Sequence, residues 1–196
     1  MKVHTQCDKT PPVEFLKKWT KKHSSTSVKR SVQLDGGGEL GRNNKIVNIP
    51  QDAGCTVQLT APDSSSENGA VERPHRTIAN GLQAMLHGAG LPMKFWPYAL
   101  QHFVLLNNCV PHGDRDLPPL TICTGKRSDL RLLRIFGCRM CALPTHNREA
   151  KLEVHTRQGV FLGFQDTFHR AVHYDFDTGR VKTAKHVAFD ESKGYH

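Results

Sequence analysis

No stretch of these 196 residues is apolar for long enough to span a bilayer, and hydrophobic residues make up only 37% of the chain. That share suffices for small cores and excludes an integral helical membrane protein. No amphipathic basic helix with a broad apolar face is present, so a membrane surface is a poor partner. Acidic residues are scarce, 18 against 27 lysines and arginines, giving a net charge of +9. The imbalance favours an anionic partner, nucleic acid before membrane, over a merely basic soluble protein. The six cysteines (Cys7, Cys55, Cys109, Cys123, Cys138, Cys141) form no spaced framework and no secretory leader is evident, so reduced thiols in an intracellular protein are expected. Internal repeats and low-complexity tracts are missing as well.

Two acids stand out. Asp35 ends the alternating run Ser31-Val-Gln-Leu-Asp35 and is followed by Gly36-Gly37-Gly38-Glu39. Alternation predicts a strand over Val28–Asp35, and the glycines let the backbone turn sharply at its carboxyl end, where sites of open α/β sheets gather. Glu72 lies in Glu67-Asn-Gly-Ala-Val-Glu72-Arg73-Pro74, after a polar loop over Asp63–Asn68. Asn68-Gly69 is a turn signal, and Val71, Ile78, Leu82 and Met85 recur at helical spacing. A helix is therefore expected from about Ala70 to Gly88. Pro74 and Glu72 would then sit in its first turn, where proline is tolerated and the dipole favours a carboxylate. An acid at such a position usually does no more than stabilise the helix.

Along the rest of the chain, Thr10-Pro11 marks a helix start. Pro12, Phe15, Leu16 and Trp19 make a narrow apolar stripe, and Lys17, Lys18, Lys21 and Lys22 take the other side. A lysine row is commonly only a solvated face; its functional alternative is phosphate contact. Residues 39–54 are read as a short helix and Cys55–Leu59 as a strand. A second long helix is expected from Met93 to just before Pro111, with Trp96, Ala99, Leu100, Phe103 and Leu106 facing inward. Residues 112–130 read as linker. From Leu132 onward short apolar runs alternate with turns: Leu133–Leu143, Gly159–Phe164, Ala171–Phe176 and Val181–Phe189, with Asp177-Thr-Gly179 as a hairpin turn. This predicts a small β-barrel or sandwich.

Leu34-Asp-Gly-Gly-Gly-Glu-Leu40 followed by Glu67-Asn-Gly-Ala-Val-Glu-Arg73 resembles the second and third acids of the DDE integrase core, in the form found in copia-type LTR-retrotransposon polyproteins. Lys94-Phe-Trp-Pro-Tyr-Ala, Leu105-Leu-Asn-Asn, Thr124-Gly-Lys, Leu132-Leu-Arg-Ile-Phe-Gly-Cys, Lys151-Leu-Glu-Val-His, Gly159-Val-Phe-Leu-Gly-Phe and His186-Val-Ala-Phe-Asp-Glu resemble, in order, landmarks downstream of that core. The resemblance implies an α/β fold: a truncated ribonuclease H-like integrase core over residues 1–92, a helical connector and linker over 93–130, and an SH3-like β-barrel over 131–196.

The implied chemistry is DNA integration by metal-dependent phosphodiester strand transfer. Carboxylates hold two divalent cations that activate the attacking hydroxyl and stabilise the leaving oxygen. Asp35 and Glu72 are the implied catalytic residues and ligands for Mg²⁺ or Mn²⁺, hard ions that prefer oxygen donors. Glu67 ranks below Glu72, because the family has an uncharged polar residue there. Asn68, Arg73 and Arg76, together with Lys17, Lys18, Lys21 and Lys22, are candidates for nucleic-acid contact. The expected partner is DNA, both element ends and target, with a homo-oligomer and a nuclear location implied if the chain acts as an integrase.

The family uses three acids, and the first belongs to a strand upstream of Asp35. Asp8, the only aspartate before Asp35, precedes a helix start and is a poor substitute. The chain alone is therefore expected to bind metal weakly and catalyse little. The rival is a non-catalytic nucleic-acid-binding remnant that uses the basic surface. A zinc site on Cys138-x-x-Cys141 and His169-x-x-x-His173 is disfavoured: the gap between the pairs is too long for a finger, and i, i+3 residues of a strand face opposite ways.

Overall fold

The computed structural model describes residues 12–23, 31–34, 43–59, 65–113, 116–127, 129–143, 156–165 and 168–195, with only the backbone of 22–23 and 65–71. The chain divides into two compact units, His4–His75 and Arg76–His196, the latter with Met1–Val3.

The first unit is built on a parallel pair. β1 (Ser31–Leu34) and β2 (Thr56–Leu59) pair in parallel, Ser31 with Thr56 through Leu34 with Leu59. A parallel pair needs a crossover. Here α2 (Asn44–Asp52) supplies it, as the reading of residues 39–54 expects. Asn43 starts α2 by accepting the Lys45 N–H at 3.0 Å, and Gly54 (φ 77°) turns the chain toward β2. α1 (Val13–His23) packs on α2. Its stripe of Phe15, Leu16 and Trp19 is half-buried, Thr20 is buried, and Lys17, Lys18 and Lys21 are exposed. The cap assigned to Thr10 and Pro11 lies outside the described residues, as do Val28–Arg30.

α3 runs from Ser65 to Gly88, and the division between the units falls within it. It starts five residues before the expected Ala70. Asn68-Gly69 is helix rather than turn, Pro74 is interior, and Glu72 lies beyond the first turn. The expectation that the helix dipole favours Glu72 fails with that start, because the effect fades within one turn. The overlooked signal is Ser64-x-x-Glu67, a capping-box sequence that competes with the turn signal.

In the second unit a 3-10 turn (Met93–Phe95) leads into α4 (Trp96–Cys109), and α5 (Pro119–Thr124) follows, with Pro119 at its first position and Gly125 (φ 69°) closing it. α5 corrects the reading of 112–130 as linker alone. Trp96 corrects another expectation: it is exposed, while Phe95, Ala99, His102, Val104 and Cys109 are buried. The 3-10 turn brings Phe95 into the core. Phe103 is half-buried against α3, where a side chain at Gly81 would stand 2.0 Å from its ring.

Five antiparallel strands follow: β3 (Arg139–Ala142), β4 (Arg157–Gln165), β5 (Arg170–Asp175), β6 (Arg180–Ala184) and β7 (Val187–Asp190), in the order β6-β5-β4-β3-β7. Lys185 and His186 thus link strands at opposite edges. Five flat strands would set those edges about 19 Å apart. A link of two residues reaches about 11 Å. The sheet must therefore curl so that its two edge strands approach, as in a small open barrel. Two expected strands change: Leu133–Gly137 is not strand, and Val181–Phe189 splits into β6 and β7. The Asp177-Thr-Gly179 hairpin stands, with Gly179 at φ 63° and its N–H on the Asp175 carbonyl at 2.9 Å.

β4 is covered on both faces. Val160 and Leu162 pack with Leu86, Leu91, Phe95, Ala99 and Phe136 on the helix side, while Phe161 joins Cys138, Met140, Ala142 and Ala171 inside the barrel. The register slips between Phe161 and Gly163, a bulge within a run of five buried residues, Gly159 to Gly163. Gly163 takes φ 122° there, next to His102.

Candidate functional site

Asp35 follows Leu34, the last residue of β1, and itself lies outside the described residues. It thus comes directly after the carboxyl end of one of two parallel strands. Glu72 is exposed on α3, the helix after β2. Arg73 and Arg76 are exposed beside and one turn beyond it, and Asn68 is described in backbone only. On α1, Lys17 pairs with Glu14 at 3.2 Å, Lys18 and Lys21 are exposed, and only the backbone of Lys22 is described. Among the described residues no three His, Cys, Asp or Glu side chains gather as metal ligands. Of the two carboxylates implied as ligands, Glu72 is described and accessible, a suitable donor type for a hard cation.

The second unit holds buried polar groups, of which the sequence reading names only His173, in the disfavoured zinc site. Asp175 is fully buried; Lys182 Nζ donates to it at 2.7 Å, the Thr178 N–H at 3.0 Å, and the Arg157 guanidinium stands 3.9 Å away. Burial raises the Asp175 carboxyl, but the hydrogen bonds from Lys182 and Thr178 outweigh it and bring it down to about 2. His102 is buried among Phe136, Phe161 and Phe164, and its Nε2–H donates to the Arg134 carbonyl at 3.2 Å. Burial lowers its pKa to about 4, partly offset by that bond. His173 is 2% exposed, and neither ring nitrogen has a hydrogen-bond partner among the described residues. One signal for Asp175 and His173 was available: they alternate with Val172 and Tyr174 on a strand whose other inward residue is Ala171.

The cysteines behave as buried or surface thiols. None of Cys55, Cys109, Cys123, Cys138 and Cys141 forms a disulfide. Burial pushes the Cys138 thiol up to about 11, with the nearby Glu191 charge adding to it. Cys138 belongs to the barrel interior, whereas Cys141 lines a surface groove with Leu143, Thr156 and Lys185. They are not poised to share an ion.

Comparison with known proteins agrees with the barrel. Residues 138–196 match the retroviral polymerase SH3-like domain family. The chain is 34% identical over 140 residues to the retrovirus-related Pol polyprotein from transposon RE2 of Arabidopsis thaliana, covering 70% of this chain and 10% of the relative. It is 34% identical over 136 residues to that from transposon RE1 of the same plant, covering 68% and 9%. Against transposon TNT 1-94 of Nicotiana tabacum it is 28% identical over 165 residues, covering 84% and 12%. The chain therefore spans about a tenth of the length of these polyproteins. A simian T-cell lymphotropic virus intasome, solved in complex with PP2A regulatory subunit B56 gamma, aligns with 91% of this chain and 63% of the matched one at 12% identity and a TM-score of 0.45, too loose a likeness to carry an argument. Residues 138–196 thus form a retroviral polymerase SH3-like domain, on a chain homologous to a segment of the Pol polyproteins of plant copia-type retrotransposons.

Proposed function

We propose that this chain is the later part of an integrase region, a ribonuclease H-like core segment followed by a helical connector and the barrel, and that it serves DNA integration by phosphodiester strand transfer. The observation that carries this is the parallel β1–α2–β2 crossover. Asp35 comes immediately after β1, and the carboxyl ends of parallel strands are where α/β sites form. Glu72 is exposed on the helix that follows β2. Asp35 and Glu72 would hold Mg²⁺ or Mn²⁺, which when bound activates an attacking hydroxyl and stabilises the leaving oxygen. Arg73, Arg76 and Asn68 on α3 and the lysines of α1 would contact phosphates of element-end and target DNA.

The 196-residue polypeptide holds two of the three acids such a site uses, so by itself it is proposed to transfer strands poorly. The test is a metal-dependent strand-transfer assay on the purified chain and on a longer polypeptide that supplies a third acid. Activity of the longer form that is lost in Glu72→Gln supports the proposal. Robust activity of the 196 residues alone, unchanged by Glu72→Gln, refutes it. The exposed lysines of α1 favour one rival, a non-catalytic nucleic-acid-binding remnant. Salt-dependent DNA binding that survives Asp35→Asn and Glu72→Gln, with no transfer in any longer form, would establish that rival instead.

A further inference from the structure

We propose that His173 is an acid-responsive latch on edge strand β6, holding it to the barrel while neutral and releasing it on taking up a proton. The starting point is topology. Among the described strands β6 pairs with β5 alone and stands at one edge of the sheet. Its firmest side-chain tie is Lys182, whose ammonium reaches back to the buried Asp175 carboxylate at 2.7 Å.

His173 lies on β5 opposite Lys182 in the ladder and on the same sheet face as Asp175. The charged groups around it are Asp175 on its own strand, Lys182 from β6 and Arg157 from β4; Arg180 of β6 stands opposite Asp175 and is exposed. β3 presents Met140 and Ala142 to the same interior, neither charged. The ring is sealed and both nitrogens lack partners among the described residues. Burial disfavours its cationic form most strongly; the Asp175 charge pulls the other way and comes next, ahead of the opposing Lys182 and Arg157 charges, and the net effect is a lowered pKa.

A proton can therefore arrive in two ways, both with the same result. The imidazolium can turn to the buried Asp175 carboxylate and displace Lys182, which is already 29% exposed and can move into solvent. Otherwise the imidazolium leaves the interior for water, which requires β5 and β6 to part. In either case the tie between β6 and β5 is lost. At neutral pH, Lys182 keeps the carboxylate and β6 stays paired.

Amide hydrogen exchange of the full chain between pH 7.5 and 5.0, corrected for intrinsic rates, tests this. The opening equilibrium of Val181–Ala184 should rise by up to about tenfold per pH unit below about 6.5, the slope of one proton taken up on opening. His173→Leu should remove that slope from β6 while leaving any slope that His102 imposes on β4. An unchanged slope in His173→Leu overturns the proposal. If that variant does not fold, the His173 imidazole resonance in the parent chain decides. A midpoint clearly below 6.5 that tracks β6 exchange upholds the latch; an ordinary midpoint with no change in β6 exchange refutes it.

Discussion

The two units cover their strands to different extents. In the second, β4 has apolar side chains packed on both faces and the sheet curls so that its edges approach. In the first, β1 and β2 form a parallel pair of four residues each, and most of their side chains are exposed, Leu59 at 52%. Parallel sheets normally have both faces covered. The described side chains buried in the first unit are Thr20, Ile46 and Pro50, all on helices. The barrel thus has the hydrophobic means to stand as a module. The unit proposed to carry the carboxylates relies on a small helix contact to hold its strands, so metal affinity there should be more sensitive to local loosening.

Phe161→Ala should have the largest effect, about 4 kcal/mol, because it empties the barrel interior of a side chain with no exposed surface. Denaturant unfolding followed by barrel resonances measures it; a cost below about 1 kcal/mol would deny the barrel its core. Lys182→Met should follow at about 3 kcal/mol, leaving the Asp175 carboxylate buried with its best partner gone. Asp175 adds an acid limb to the stability curve. Its folded pKa is depressed from 3.8 to about 2, so its contribution is complete above about pH 4 and is lost as pH falls through 2. Lys182→Met should flatten that limb.

Ile46→Ala should cost about 2 kcal/mol and loosen only the first unit. Exchange rates that also rise in β4 and β5 would show the units to be one cooperative body. Smallest of all, Glu72→Gln should shift stability by less than about 0.5 kcal/mol, since the side chain is exposed. A thermal melt checks it. His102 supplies a further pH dependence: with a folded pKa near 4, its neutral form supports the fold above about pH 6.5, and that support declines as pH falls through 4.

How much could be foreseen varied with the physics involved. α2, β2 and most of the barrel strands follow from local alternation and turn residues, and the family from ordered motifs. The start of α3 did not, because two local signals, Ser64-x-x-Glu67 and Asn68-Gly69, point to different boundaries. Trp96 is exposed instead of inward and His102 is buried, because a 3-10 turn precedes α4 and places Phe95 in the core, a change that hydrophobic periodicity cannot register. The two-residue break between β6 and β7 is hidden by apolar residues on both sides. Asp175 and His173 are polar residues in an interior, and only the three-dimensional pairing with Lys182 and Arg157 accounts for the buried charge. Of the proposed metal site, Glu72 and its exposure are described, and Asp35 is known by its place after β1.

The most direct test of that site is the nuclear magnetic resonance spectrum of the isotopically labelled chain during a titration with Mn²⁺, whose unpaired electrons broaden nearby signals whether or not any chemistry occurs. Amides around Asp35 and Glu72 should broaden first, barrel amides should stay sharp, and Asp35→Asn or Glu72→Gln should weaken the effect. Broadening centred elsewhere, or unaffected by both substitutions, would contradict the assignment of these two carboxylates as metal ligands.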